Sequence, residues 1–323
     1  MTCERTTVLL MAYGTPGWRD AILPYYTDIR RGRPPTPEQL ADLAGRYEAI
    51  GGLSPLAERT EAQRRRLQAA LDGRAPGRFD VVLGLKHADP KIEAAVGAVT
   101  TDRIVGLVLA PHYSAFSIGQ YHQRAGAAAA ARGISFVGID SWHLERAYLE
   151  FLAAEVRIRL AVLPATTRVL FTAHSLPERI LATGDPYPDQ LLATAAAVAE
   201  RAGLTEPGRW GLAWQSAGRT PEPWIGPDIL TVIDDLAVGQ PAVGQPAVGQ
   251  PAVGRPAVGQ PAVGGVLVCA CGFVADHLEV LYDLDIEASR RAAARGLAFA
   301  RTACVNDDPT VFAALADRVI SVA

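Results

Sequence analysis

Short runs of β-branched and other apolar residues, at about 7–12, 79–85, 104–110, 134–139, 167–173, 209–214 and 266–271, alternate along this chain with longer segments of helical period at about 58–72, 117–132, 144–163 and 187–202. Runs that are apolar at nearly every position suit strands buried on both faces, and a helix between two such strands returns the chain to a parallel neighbour. The alternation therefore predicts an α/β fold with parallel sheets. At 323 residues the chain is too long for one ordinary core. Two doubly wound domains are expected, near 1–150 and 151–323, with the helical segment 144–163 crossing between them before Pro164.

Composition narrows the function. A net charge of −3, with 49% hydrophobic and 20% charged residues, is a globular balance without the basic excess that nucleic-acid binding requires. Met-Thr-Cys-Glu-Arg-Thr-Thr runs straight into the strand-like Val8-Leu9-Leu10-Met11-Ala12 without the charged and apolar regions of a secretory leader, so a cytoplasmic protein is expected. The Ala-rich stretch 125–131 is bounded by Arg124 and Arg132, and no apolar run reaches the roughly 18 residues of a membrane span. Cys3, Cys269, Cys271 and Cys304 form neither a disulfide framework nor a C-x-x-C metal spacing, so reduced thiols are expected.

In doubly wound sheets, ligands bind beyond the carboxyl ends of the strands. Those positions here carry Tyr13-Gly14-Thr15-Pro16, Lys86-His87, Pro111-His112-Tyr113-Ser114, His174-Ser175-Leu176-Pro177 and Gly272-Phe273-Val274-Ala275-Asp276-His277. The strongest chemical signal pairs His174 with the acidic segment Asp276, Glu279, Asp283 and Glu287. On a helix, steps of three, four and four place these carboxyl groups in a row along one face. A solvated acidic face has the same pattern. Its place just after a strand end instead suggests a path of oxygen ligands for a divalent cation. Imidazole and carboxylate without thiolate suit Fe(II) held weakly enough to be released. A neutral imidazole near pH 7 is also a competent base.

A second cluster, Arg30-Arg31-Gly32-Arg33 with Arg46-Tyr47, precedes Gly51-Gly52-Leu53-Ser54. In an acidic protein such a group suits carboxylate or phosphate ligands as well as a solubilising surface. No G-x-G-x-x-G follows the first strand and no G-x-x-x-x-G-K-[ST] occurs, which leaves a carboxylated organic ligand as the better partner. Residues 237–261 are five copies of Ala-Val-Gly-Gln-Pro, varied only at Arg255. Proline every fifth residue excludes helix interior and central strand, so a flexible insertion between a helix at about 227–236 and the next strand is expected.

Taken in order, Met-Ala-Tyr-Gly-Thr-Pro, Pro-Tyr-Tyr-Thr-Asp-Ile-Arg-Arg-Gly-Arg, Arg-Tyr-Glu-Ala-Ile-Gly-Gly-Leu-Ser-Pro-Leu, Gly-Leu-Lys-His, Ala-Pro-His-Tyr-Ser, Ala-His-Ser-Leu-Pro-Glu-Arg, Trp-Gln-Ser-Ala-Gly and Gly-Phe-Val-Ala-Asp-His-Leu-Glu resemble the ferrochelatases of Gram-positive bacteria. The resemblance runs from about residue 7 to the C terminus and is broken only by the repeat. It implies two Rossmann-like lobes facing a porphyrin cleft, and insertion of ferrous iron into coproporphyrin III within heme biosynthesis. It implies His174 and Glu279 as the catalytic and metal-site pair, with Asp283 and Glu287 as an outer relay. Tyr13 would approach the metal from the opposite porphyrin face. Arg30, Arg46, Tyr47, Ser54 and Tyr121 would contact the porphyrin and its propionates, and His87 would line the cleft. No redox cofactor is required by this chemistry. A [2Fe-2S] cluster, carried by some members on a closely spaced cysteine group near the C terminus, is not expected where only Cys304 stands. The family also implies a monomer. The alternatives are a protoporphyrin IX ferrochelatase, a cobalt or nickel tetrapyrrole chelatase, and a porphyrin or heme carrier without turnover.

Overall fold

The computed structural model describes residues 5–218, 220–238 and 262–323. The repeat at 237–261 lies outside these residues from position 239 onward.

The chain divides into two compact units. The first comprises residues 1–142, 274–278 and 305–323, and the second comprises 143–273 and 279–304. A single cut near residue 150 does not describe this partition. The C-terminal helix Pro309–Val322 packs with the first unit, where Val311, Phe312, Leu315, Ala316 and Val319 are buried. Segment 144–163, expected to cross between domains, lies within the second unit.

The first unit runs β1 (Thr6–Ala12), α1 (Ile22–Ile29), α2 (Pro37–Ala49), α3 (Leu56–Arg74), β2 (Phe79–Leu85), α4 (Ile92–Ala98), β3 (Arg103–Val108), α5 (Ile118–Ala130) and β4 (Ser135–Ile139). Its sheet has the order β2-β1-β3-β4 and is parallel throughout, with Leu9 registered against Val82 and Gly106. β1 is buried along its whole length, as a strand covered by helices on both faces must be. Leu9, Met11, Ile92, Val96, Ile104, Ile118 and Ala125 form one core between this sheet and its helices. Helix α2 starts at a capping box in which Thr36 and Gln39 satisfy each other's backbone N–H groups, with Pro37 at the first helical position.

The second unit repeats the design. It runs α6 (Arg146–Leu160), β5 (Arg168–His174), α7 (Tyr187–Ala202), β6 (Trp210–Gln215), α8 (Ile229–Ala237), β7 (Gly265–Cys269), a π-helix over Val280–Ala288 that continues into α9 (Ser289–Ala294), and β8 (Ala298–Arg301). The order β6-β5-β7-β8 is again parallel. Leu170, Val232, Ile233, Val266, Val268, Val280 and Leu284 build its core. Strand β8 was not expected from the sequence. It is a half-buried edge strand of four residues. No helix among the described residues is long and apolar enough to cross a membrane.

In both sheets the order reverses beside the first strand, between β1 and β3 and between β5 and β7. The crevice beyond the carboxyl ends of such a strand pair is where open α/β sheets bind ligands. Tyr13 follows β1, His174 closes β5, and Glu279 stands shortly after β7.

Candidate functional site

In the second unit, His174 is the last residue of β5, where the strand releases its side chain while its backbone stays registered against Gln215. The Tyr187 hydroxyl donates to the His174 carbonyl at 3.0 Å, and the ring Nδ1 is hydrogen-bonded to the Ser175 carbonyl. That carbonyl can only accept, so Nδ1 carries the proton and Nε2 is left to face Glu279. The Nε2 to Glu279 Oε1 distance is 3.6 Å. The imidazole is recessed but keeps a side-chain exposure of 35%. Burial alone would lower its pKa. Glu279, the Ser175 carbonyl and Asp283 outweigh that effect and hold His174 above its ordinary value. A metal ion arriving at Nε2 would displace a proton that these carboxylates favour.

Glu279 leads into the π-helix. Its backbone carbonyl accepts from Gln215 Nε2 at 3.2 Å, and Gln215 is itself buried and tied through Oε1 to the Thr172 hydroxyl at 3.0 Å. Asp283, buried to 6% exposure, accepts from the Ser216 hydroxyl, and Ser216 takes a left-handed backbone at φ 59 to reach it. Glu287 is half-buried four residues further on. The expected row of four carboxylates is corrected in two respects. Asp276 precedes the helix and belongs to the first unit, where its carboxylate accepts from Asn306 Nδ2 at 2.9 Å. The helix is π rather than α, so four residues fall short of a turn and the remaining stripe of Glu279, Asp283 and Glu287 winds the opposite way from that of an α-helix. Among the described residues, no group of three or more His, Cys, Asp or Glu side chains is close enough to hold a metal ion together.

In the first unit, Tyr13 is 43% exposed just beyond β1, with its ring centroid 4.6 Å from that of His87. The β1–β2 pairing continues past the strands, with Lys86 N donating to the Ala12 carbonyl and His87 N to the Tyr13 carbonyl, both at 2.9 Å. His87 Nδ1 meets Asp28 Oδ2 at 2.7 Å. Burial lowers the His87 pKa and its neighbouring lysines add to this, against the pull of Asp28. Tyr121 is buried under Lys86, whose ammonium lies 5.1 Å above the ring and donates to Gln120 Oε1 at 2.8 Å. Burial, with Tyr13 nearby, pushes the Tyr121 phenol far above its ordinary range, so it remains a neutral hydroxyl.

The other residues expected to meet a porphyrin are placed as follows. Arg30 stacks over the Tyr26 ring at 5.7 Å. Arg46 pairs with Asp42 one helical turn before it at 3.2 Å. Tyr47 is buried, with its hydroxyl 3.5 Å from that of Thr15. Ser54 is buried and accepts from Leu56 N at 3.2 Å at the start of α3. Sequence reasoning missed Gln215 and Ser216 although it singled out the Trp-Gln-Ser-Ala-Gly motif. The usable signal was their position immediately at the end of a strand. Cys269, Cys271 and Cys304 are buried, and burial drives the Cys269 thiol up to about 12 and Cys271 well above its ordinary value. Cys269 and Cys271 pack as small neutral groups.

A family model described as ferrochelatase matches residues 5–243 and 256–322. The coproporphyrin III ferrochelatase of Geobacillus kaustophilus is 43% identical over 329 residues, covering 99% of this chain and 96% of the relative. That of Bacillus subtilis is 39% identical, covering 99% and 98%. The ferrochelatase of Herpetosiphon aurantiacus is 40% identical, covering 94% and 95%. Among solved structures, Bacillus subtilis SirB with Fe3+ aligns with a TM-score of 0.54 at 11% identity, covering 99% of this chain and 96% of that one. CbiX, described as the terminal enzyme of siroheme biosynthesis in denitrifying bacteria, aligns with a TM-score of 0.50 at 14% identity, covering 99% of each. At such identities these two structures speak for the shared fold alone.

Proposed function

Because the chain belongs to the ferrochelatase family, we propose that it inserts Fe(II) into coproporphyrin III to give coproheme, as a metal chelatase of heme biosynthesis. The observation that carries this reading is the near full-length identity with relatives named for that substrate. The strand-end pairing of His174 with Glu279 supports it with the required chemistry.

Each turnover breaks two pyrrole N–H bonds and forms four N–Fe bonds, so two protons leave for every Fe(II) that enters. We assign His174 and Glu279 to the reacting centre. The Nε2 lone pair and the adjacent carboxylate offer either a transient pair of iron ligands or acceptors for the departing protons. Asp283, oriented by Ser216, and Glu287 form the outer relay for the cation. Tyr13 is assigned to the metal-facing side of the porphyrin. Arg30, Arg46, Tyr47, Ser54 and Tyr121 are assigned to the porphyrin and its propionates. Binding energy from these peripheral contacts is spent on bending the macrocycle so that its nitrogens become accessible. The proposal includes no redox cofactor, a cytoplasmic location and a monomer.

Anaerobic turnover with ferrous iron, run in parallel on coproporphyrin III and protoporphyrin IX, tests the reading. Higher kcat/KM with coproporphyrin is the expected result. Each charge-assisted propionate contact contributes about 1.5–3 kcal/mol, so a ring with four carboxylates is separable from one with two. Binding of either porphyrin with no metal insertion would instead identify a carrier.

A further inference from the structure

We propose that Asp28 is a positioning residue for iron insertion: acting through His87, it holds the Tyr13 ring in its reactive orientation. The inference rests on the assignment of Tyr13 to the metal-facing side made above.

Tyr13 lies beyond the last residue of β1, is 43% exposed, and is followed by Gly14 in a left-handed conformation at φ +89. Its ring leans on His87, with centroids 4.6 Å apart and planes inclined at 56°. His87 is in turn held from two sides. Its backbone N–H donates to the Tyr13 carbonyl at 2.9 Å, and its Nδ1 lies 2.7 Å from Asp28 Oδ2. A carboxylate can only accept, so the imidazole presents Nδ1–H to Asp28, which fixes both tautomer and ring plane. Asp28 is anchored by Lys91 Nζ, 2.9 Å from the same oxygen.

Burial alone would raise the Asp28 carboxyl. Lys91 and His87 outweigh it and keep the carboxyl below its ordinary range, so the acceptor stays ionised. A second residue of α1 makes the same kind of clasp. Tyr25, three positions before Asp28 and therefore on the same helix face, donates its hydroxyl to the Gly14 carbonyl at 3.0 Å. One face of α1 thus grips both strand-end segments that carry the Tyr13–His87 pair. The Tyr-Tyr-Thr-Asp-Ile-Arg-Arg-Gly-Arg motif was read from sequence only for its arginines, and this use of its aspartate depends on a contact 59 positions away.

The test is a double-mutant cycle on the full chain with Asp28→Ala, Tyr13→Phe and their combination, joined by Asp28→Asn. The readouts are kcat and KM for coproporphyrin, thermal unfolding, and the visible absorption of ferric coproheme added to each protein. Asp28→Ala should lower kcat about ten- to a hundredfold with KM little changed. It should shift the coproheme spectrum in the direction that Tyr13→Phe does and cost nothing further in the Tyr13→Phe background. Asp28→Asn, which keeps an oxygen acceptor for His87, should recover most of the rate. An unchanged kcat and spectrum in Asp28→Ala, or the same fold-loss with and without the Tyr13 hydroxyl, would overturn the inference. So would an Asp28→Asn as slow as Asp28→Ala. Should the parent chain itself fail to insert iron, the functional reading fails separately, and the coproheme spectra still decide whether Asp28 controls Tyr13.

Discussion

Replacing Lys86 by Met should stabilise the protein at neutral pH and lose that advantage in alkali. Burial, reinforced by Arg124 and Arg31, lowers the Lys86 pKa from 10.5 to about 8. That drop corresponds to at most about 3 kcal/mol by which folding disfavours the ammonium, since a side chain this near the surface retains some water. Met removes the charge and keeps an apolar stem against the Tyr121 ring. It also leaves Gln120 Oε1 without the bond from Nζ, a loss of about 1 kcal/mol. The net gain near pH 7 is about 2 kcal/mol, or roughly 4–8 °C in the melting temperature of a unit this size. A base whose pKa is lowered by folding costs its full amount below pH 8. The cost fades as pH rises through 8 toward 10.5, where the unfolded chain also gives up the proton. Paired melting curves of parent and variant at closely spaced pH values from 7 to 10.5 measure the gap and cancel every other titration. A variant that melts lower than the parent at pH 7, or a gap that does not shrink with pH, would refute the reasoning.

Three further outcomes are expected. His174→Ala should lower iron insertion about a hundredfold or more while coproporphyrin still binds, as followed by fluorescence quenching, and Glu279→Gln should behave similarly; near-native turnover of either at saturating iron contradicts their assignment. Gly14→Ala should destabilise by about 2–4 kcal/mol, since a Cβ there would come 2.7 Å from that of Ala88 at a φ of +89, and calorimetry should show the lowered transition. Deleting the repeat at 237–261 should leave iron insertion intact, because the segment contains no His, Cys, Asp or Glu and the family match breaks inside it, between 243 and 256; a fall in turnover at unchanged melting temperature would give the repeat an active part.

The parallel strands were legible because burial on both faces writes itself as an unbroken apolar run, as in Val8-Leu9-Leu10-Met11, all fully buried. Strand β8 escaped because Ala298-Phe299-Ala300-Arg301 is half exposed at a sheet edge and carries one large apolar side chain. The closeness of His174 to Glu279 could be anticipated from their place after strands, but the π-helix could not. Acids spaced by four make a stripe on either kind of helix, and nothing local in Val280–Ala288 records the extra residue per hydrogen-bonded turn. Asp276 looked like a fourth member of that stripe until its bond to Asn306, 30 positions away, placed it elsewhere. Lys86 was singled out by its place after a strand, but its lowered pKa and the role of Asp28 were not legible, for a related reason. What distinguishes them is how deeply they lie and what they meet, and both are properties of the folded neighbourhood.

The return of the C-terminal helix to the first unit has a consequence for how the chain is made. Helix α3 waits for a partner that is translated 243 positions later: Arg74 Nη2 bonds Asp317 Oδ2 at 3.1 Å, and the apolar face of Pro309–Val322 closes over the first unit. Residues 143–323 must leave the ribosome first, which at about 5–20 residues per second takes roughly 10–35 s. During that interval the first unit is a sheet with part of its cover missing, while the second can close as soon as residue 304 is out. A nascent chain stalled before residue 309 should therefore be held by chaperones through its N-terminal half. Ribosome-bound chains of increasing length, probed by limited proteolysis, should acquire resistance in the later-encoded unit before the earlier one.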